Sequence, residues 1–157
     1  MKESTDSVIR QMIQQDISDV IAIEQLVFTI PWTAHAFRME LKNQLAMYRV
    51  AVLEEKVVAY GGMWLILDEA HVTNVAVHPD HQGCGLGQRI MEALMQAARE
   101  KSLKRMTLEV RRKNQPAIAL YRKLGFLMAG IRPGYYQDTG EDALIMWAEL
   151  VETVNTL

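Results

Sequence analysis

The chemistry this sequence could perform is concentrated in one glycine-rich loop, one carboxylate and one phenol. Gln82-Gly83-Cys84-Gly85-Leu86-Gly87-Gln88 opens a segment with Leu86, Ile90, Ala93, Leu94, Ala97 and Ala98 on one helical face. Closely spaced glycines let the backbone approach a ligand, and the first N–H groups of a helix, with its dipole, favour an anion. A phosphate or pyrophosphate is the natural guest; a glycine-rich turn that only starts a helix is the competing reading. Glu109 is the lone carboxylate of Arg105–Arg111, where Met106, Leu108 and Val110 alternate with Thr107, Glu109 and Arg111. It can serve as a proton acceptor, or as a solvated strand glutamate paired with Arg111 or Arg112. Asn114, Ala117, Ile118 and Tyr121 share one helix face by their spacing. A phenol with an ordinary pKa of about 10 stays protonated at neutral pH and can donate to a thiolate of about 8.5. A tyrosine packed on a sheet edge has the same spacing.

Other chemistries fit less well. A Walker A loop needs a lysine that is missing here, and a dinucleotide fingerprint needs glycine where Gln88 stands. His35, His71, His78 and His81 have no metal-ligand spacing with carboxylates or with the single cysteine, Cys84. Cys84 follows the pattern of a thiol at a helix start, yet its place in the anion loop makes it a bystander. Arg111-Arg112-Lys113 could meet cofactor phosphates or an acidic patch, although a charge run is usually a solvated face. Tyr135 and Tyr136 expose costly apolar surface, which suggests contact with a peptide or a lid; edge packing is the competing reading.

These residues need elements to hold them. A short strand over Val8–Ile13 precedes a helix capped by Asp16, with Ile17, Val20, Ile21, Ile23, Glu24 and Val27 at helical spacing. Thr33 caps a second helix through Leu41. Tyr48–Leu53 and Lys56–Leu67 read as strands joined by a tight Glu54-Glu55 turn, and Ala70–Val77 as a strand stopped by His78-Pro79. A helix over Gly85–Lys101, a strand over Arg105–Arg111 and a helix from Asn114-Gln115-Pro116 to Lys123, ended by Gly125, follow. Two strands, Phe126–Arg132 and Asp142–Leu150, complete a mixed α+β order with helices on both faces of one sheet.

Length and composition agree. The 157 residues, 50% hydrophobic and 23% charged, predict one globular domain with a core large enough to need neither disulfides nor a structural metal. A net charge of -2 offers no global basic field for nucleic acid or a membrane surface. No segment has signal-peptide or membrane-spanning length, the longest apolar run being broken by Gly61 and Gly62, so a cytoplasmic protein is expected.

The glycine loop resembles the Gln/Arg-x-x-Gly-x-Gly/Ala motif of the GNAT acetyltransferases, with Gln82, Gly85 and Gly87 in register. Likeness to the RimI branch, ribosomal-protein-alanine N-acetyltransferases, runs from about Val8 to Glu149. It is carried by Phe28-Thr29-Ile30-Pro31-Trp32, Asp68 to Val77, Leu108-Glu109-Val110-Arg111, Asn114 to Tyr121, Leu124-Gly125-Phe126, Arg132-Pro133-Gly134-Tyr135-Tyr136 and Glu141 to Met146. The resemblance implies a single α+β GNAT domain over 1–157, core about 8–150. Its mixed, mostly antiparallel sheet would have about seven strands, flanked by four helices on both faces. It implies acetyl-CoA as co-substrate without a metal, and Glu109 and Tyr121 as general base and acid in direct transfer through a ternary complex. Val75, Ala76 and Val77 would hold the pantetheine arm through their backbone. Gly83, Cys84, Gly85, Leu86, Gly87 and Gln88 would grip the pyrophosphate, and Asn114 would bond the arm. Trp32, Tyr135 and Tyr136 would wall the acceptor, the N-terminal peptide of a ribosomal protein. An internal lysine or a small amine is the alternative acceptor, and a coenzyme-binding module without catalysis the alternative class.

Overall fold

Alternating strand residues and capped helical stretches become seven strands and four α-helices in the computed structural model, which describes residues 6–150. In chain order these are β1 (Val8–Gln11), α1 (Ile17–Val27), α2 (Ala34–Lys42), β2 (Ala46–Leu53), β3 (Lys56–Ile66), β4 (Glu69–Val77) and α3 (Leu86–Glu100). Then follow β5 (Arg105–Arg111), α4 (Gln115–Lys123), β6 (Leu127–Arg132) and β7 (Ala143–Glu149). Short 3-10 turns occupy Gln14–Asp16 and Pro79–His81. The strands run β1-β2-β3-β4-β5-β7-β6, with β4–β5 parallel and the β1–β2, β2–β3, β5–β7 and β6–β7 pairs antiparallel. The outer limits of the expected domain, 1–5 and 151–157, lie outside the described residues. No helix among the described residues is long and apolar enough to cross a membrane. Contacts divide the described chain into two compact units, 6–65 with 73–94 and 66–72 with 95–150.

In the first unit, Glu54 and Glu55 both take positive φ, 50° and 68°, and so close the β2–β3 hairpin as the tight turn expected. Val20 and Ile23 of α1 and Phe37 of α2 form a core with Tyr48, Val50, Tyr60 and Ala76 from the strands. The Phe37 ring stands edge-on to Tyr48 and Tyr60, at centroid distances of 6.1 and 5.8 Å. A Cβ on Gly61 would collide with Ile90, so α3 packs against the opposite face of β3. Gly62 pairs with Tyr48, and a Cβ there would overlap the tyrosine ring. The two glycines that interrupt the apolar run are therefore packing requirements.

Thr33 caps α2 as expected, its Oγ1 accepting from Ala36 N at 3.1 Å. Asp16 does not cap α1. The 3-10 turn before that helix gives Asp16 a helical backbone, so its carboxylate reaches back to accept from Ile13 N at 2.8 Å. Both of its oxygens also accept from the Arg10 guanidinium at 2.8 Å. Burial alone would raise the Asp16 pKa; the Arg10 and Ile13 bonds outweigh it and hold the carboxyl below its ordinary value.

In the second unit, β5 pairs along its whole length with β7, and only its start, Arg105–Thr107, pairs with Glu69–His71 of β4. Met106, Leu108 and Val110 are buried, as their alternation predicts. The edge strand β6 pairs with β7 through an irregularity between Met128 and Gly130. Asn114 stands at the start of α4 as its cap, Oδ1 accepting from Ala117 N at 3.3 Å. Pro116 falls in the first turn of α4, and Gly125, with φ 101°, stops the chain beyond it.

Candidate active site

The glycine loop lies in the first unit. Gly83 and Gly85 adopt φ of 78° and 82°, left-handed values that turn the chain into α3. A Cβ on Gly83 would meet nothing within 4 Å, so conformation rather than space demands glycine there. Leu86 is buried, while Cys84, Gly87 and Gln88 are half-buried. The loop's start is tied to the end of β4 by a weak Gln82 Nε2 bond to the Val77 carbonyl at 3.4 Å. Val75, Ala76 and Val77 lie on β4 beyond the three residues that pair with β5.

Trp32 belongs to the same unit, its ring 5.3 Å from Phe37. Its backbone N–H donates to Glu24 Oε2 at 2.8 Å. The other oxygen of Glu24 accepts from the Tyr60 hydroxyl and from Asn74 Nδ2, the latter at 2.8 Å. Glu24 is 1% exposed, so one buried carboxylate joins the Trp32 segment to the residue preceding Val75. Burial, and then the Glu24 charge, push the Tyr60 phenol far above its ordinary pKa. Sequence reasoning treated Glu24 as one more residue of α1. The missed signal was its register: with Ile17, Val20 and Val27 it falls on the apolar stripe, where a carboxylate must find donors.

The proposed acid–base pair and the tyrosines lie in the second unit. Glu109 is half-buried, and its partner is neither Arg111 nor Arg112 but Arg132, whose Nε stands 3.6 Å from Oε1. Arg111 and Arg112 reach Asp138 and Asp142 instead. Tyr121 is half-buried with its ring 5.8 Å from Phe126, and burial pushes its phenol up to about 12. Tyr135 is 45% exposed, its ring 5.1 Å from that of half-buried Tyr136 and 5.9 Å from the Arg132 guanidinium. Burial raises Tyr136 to about 12 against the pull of Arg111, with Tyr135, Glu109 and Tyr121 pushing the same way as burial. This unit thus brings Glu109, Tyr121 and Tyr135 close enough to Tyr136 to act on its phenol. Among the described residues, no group of three or more His, Cys, Asp or Glu could hold a metal ion.

The sequence model of the Acetyltransferase (GNAT) family covers residues 17–126. The chain belongs to the GNAT acetyltransferases. Within that family it falls in the RimI branch. The [ribosomal protein bS18]-alanine N-acetyltransferase of Escherichia coli (strain K12) is 38% identical, over 83% of this chain and 89% of its own. A Bacillus subtilis (strain 168) relative provisionally assigned the same activity is 41% identical, over 94% of this chain and 99% of its own. The crystal structure of the ribosomal-protein-S18-alanine N-acetyltransferase from Escherichia coli superposes with a TM-score of 0.86 at 33% identity, covering 96% and 98% of the two chains. This GNAT chain is therefore an acyltransferase of a family that uses acetyl-CoA. Its residues suit that co-substrate: the left-handed glycines leave the backbone at Gly83 uncrowded, and α3 begins directly behind them.

Proposed function

We propose that this GNAT enzyme acetylates the N-terminal α-amino group of a cytoplasmic protein, the N-terminal alanine of ribosomal protein bS18 being the foremost acceptor. The observation that carries this reading is the likeness, over nearly the whole chain, to relatives named for that reaction. Acetyl-CoA, when bound, supplies an acetyl thioester. The backbone N–H groups of Gly83 to Gln88 hold its pyrophosphate. The backbone of Val75, Ala76 and Val77 and the free amide of Asn114 hold the arm, Oδ1 of Asn114 being spent on its cap. Trp32, Tyr135 and Tyr136 wall the acceptor peptide.

Glu109 takes the proton of the amine, directly or through a water. An α-amino group of ordinary pKa about 7.7–8.0 is already partly neutral near pH 7, so a modest base suffices. Tyr121 keeps its proton until about pH 12, which assures its protonation and makes it a weaker acid. It therefore helps most by hydrogen-bonding the departing sulfur, whose thiol has an ordinary pKa of about 8.5. The half-burial of both side chains supports these roles.

The test is a mass-spectrometric competition with acetyl-CoA. One peptide begins with alanine and carries a blocked lysine; the other has a blocked N-terminus and a free lysine. Acetylation of the first alone is the expected result. Acetylation of the lysine peptide alone would replace this reading with side-chain amine transfer.

A further inference from the structure

Arg111 follows Glu109 by two residues on β5, so both side chains leave the same face of the strand. Its guanidinium meets Asp138 as a fork, Nη2 to Oδ2 at 2.8 Å and Nη1 to Oδ1 at 3.1 Å. Nη1 also donates to Thr139 Oγ1 at 3.3 Å and stands 3.6 Å from Glu141 Oε1. Above the Tyr136 ring, its Cζ lies 4.0 Å from the centroid. One side chain thus touches four residues of the connection between β6 and β7, the segment that carries Tyr135 and Tyr136.

The rest of that connection is held near its ends. Glu141 accepts from Lys113 N at 2.9 Å, and Asp142 from Gly134 N at 3.0 Å. Gly140 N donates to the Tyr136 carbonyl at 2.7 Å, closing the tip on itself. Tyr136 N also donates to the Glu141 carbonyl at 3.1 Å, and Arg132 links the Tyr135 ring to Glu109; Arg111 ties the Tyr136 ring and the tip to β5.

We infer that Arg111 is a positioning residue for acceptor recognition: by clamping Asp138, Glu141 and Tyr136 it holds the tyrosine wall in register with the strand that bears Glu109. The inference rests on the proposal that these tyrosines wall the acceptor. Its physical sense is preorganisation. A connection ordered before binding spares the acceptor the cost of ordering it, so a loosened clamp should appear in acceptor affinity. Lysine keeps the charge at 111 and loses both the planar fork and the stacked face. Burial would lower the Arg111 pKa; the bond to Asp138 outweighs it, so the clamp stays charged at any working pH.

The experiment uses the full-length enzyme with Arg111→Lys, Asp138→Asn and the double variant. Arg105→Lys is the control, making the same replacement on the same face of β5, where Arg105 stacks on Trp147. Hydrogen–deuterium exchange over 133–142, with no acceptor present, should rise roughly tenfold in both single variants and stay unchanged in the control. KM for the acceptor peptide should rise roughly tenfold, KM for acetyl-CoA should move by less than about twofold, and kcat little. The double variant should be no worse than the poorer single one, because both changes break one contact. Unchanged exchange would remove the clamp. Raised exchange with an unchanged acceptor KM, or an equal loss in both KM values and kcat, would overturn its role in recognition. If the wild-type enzyme acetylates only the lysine peptide, the Nα-transfer reading fails by itself, and the clamp is measured with that peptide as acceptor.

Discussion

At the scale of single residues, the candidate site sets a carboxylate beside a cation and half-buries a phenol. Arg132 beside Glu109 is half-exposed, so in the proposed mechanism an arriving amine takes its place without stripping a buried partner from the carboxylate. Glu109→Gln keeps the shape and removes the proposed proton acceptor, so kcat should fall roughly a hundredfold or more with the melting temperature nearly unchanged. Tyr121→Phe should cost roughly tenfold to a hundredfold in kcat, as expected for one lost donor to a developing charge. Because the Tyr121 phenol titrates only near 12, kcat should show no alkaline decline from it below pH 10. A decline centred on pH 8–9 that vanishes in Tyr121→Phe would contradict the assignment.

At the scale of elements, most of the parse was legible, because local rules decided it. β5 occupies the expected residues, Thr33 caps α2, and the Glu54-Glu55 turn closes with both residues left-handed. What local rules could not supply was the identity of distant partners. Tyr60 and Asn74 lie 36 and 50 residues from Glu24, and nothing in α1 announces them. The role of Gly61 and Gly62 was hidden for the same reason, since one is set by α3 and the other by the tyrosine paired across β2. Gly62→Ala should therefore destabilise the fold by about 3 kcal/mol, on the order of 10 °C in Tm. A thermal melt unchanged within a degree would show that the Tyr48 ring can move aside.

At the scale of the whole molecule, four phenols have raised pKa values: Tyr48, Tyr60, Tyr121 and Tyr136. Each is favoured neutral in the fold relative to its ordinary value of 10. Their contribution to stability is complete below about pH 10 and is lost as pH climbs toward the folded values. The urea midpoint should stay flat from pH 7 to 9 and drop steeply between 10 and 12; an unchanged midpoint at pH 11 would refute this. The site was legible in proportion to how chemically distinctive each residue is. The glycine loop declares itself through conformations that other residues resist; Glu109 stood out only through the family resemblance, its strand pattern alone favouring a solvated glutamate. Arg111 did not, because a three-residue basic run gives no clue to which of several acids, Asp138, Glu141 or Asp142, each member will meet.

The Glu24 network also constrains the paths by which this chain can diverge. Three donors converge on one acceptor that water does not reach. A lineage can exchange Tyr60 for phenylalanine and leave the carboxylate two donors. It cannot exchange Glu24 for leucine in one step without stranding a hydroxyl, an amide and a backbone N–H together. Descent through this position is therefore ordered: the side-chain donors Tyr60 and Asn74 can go one at a time, while the Trp32 backbone N–H holds the acid in place.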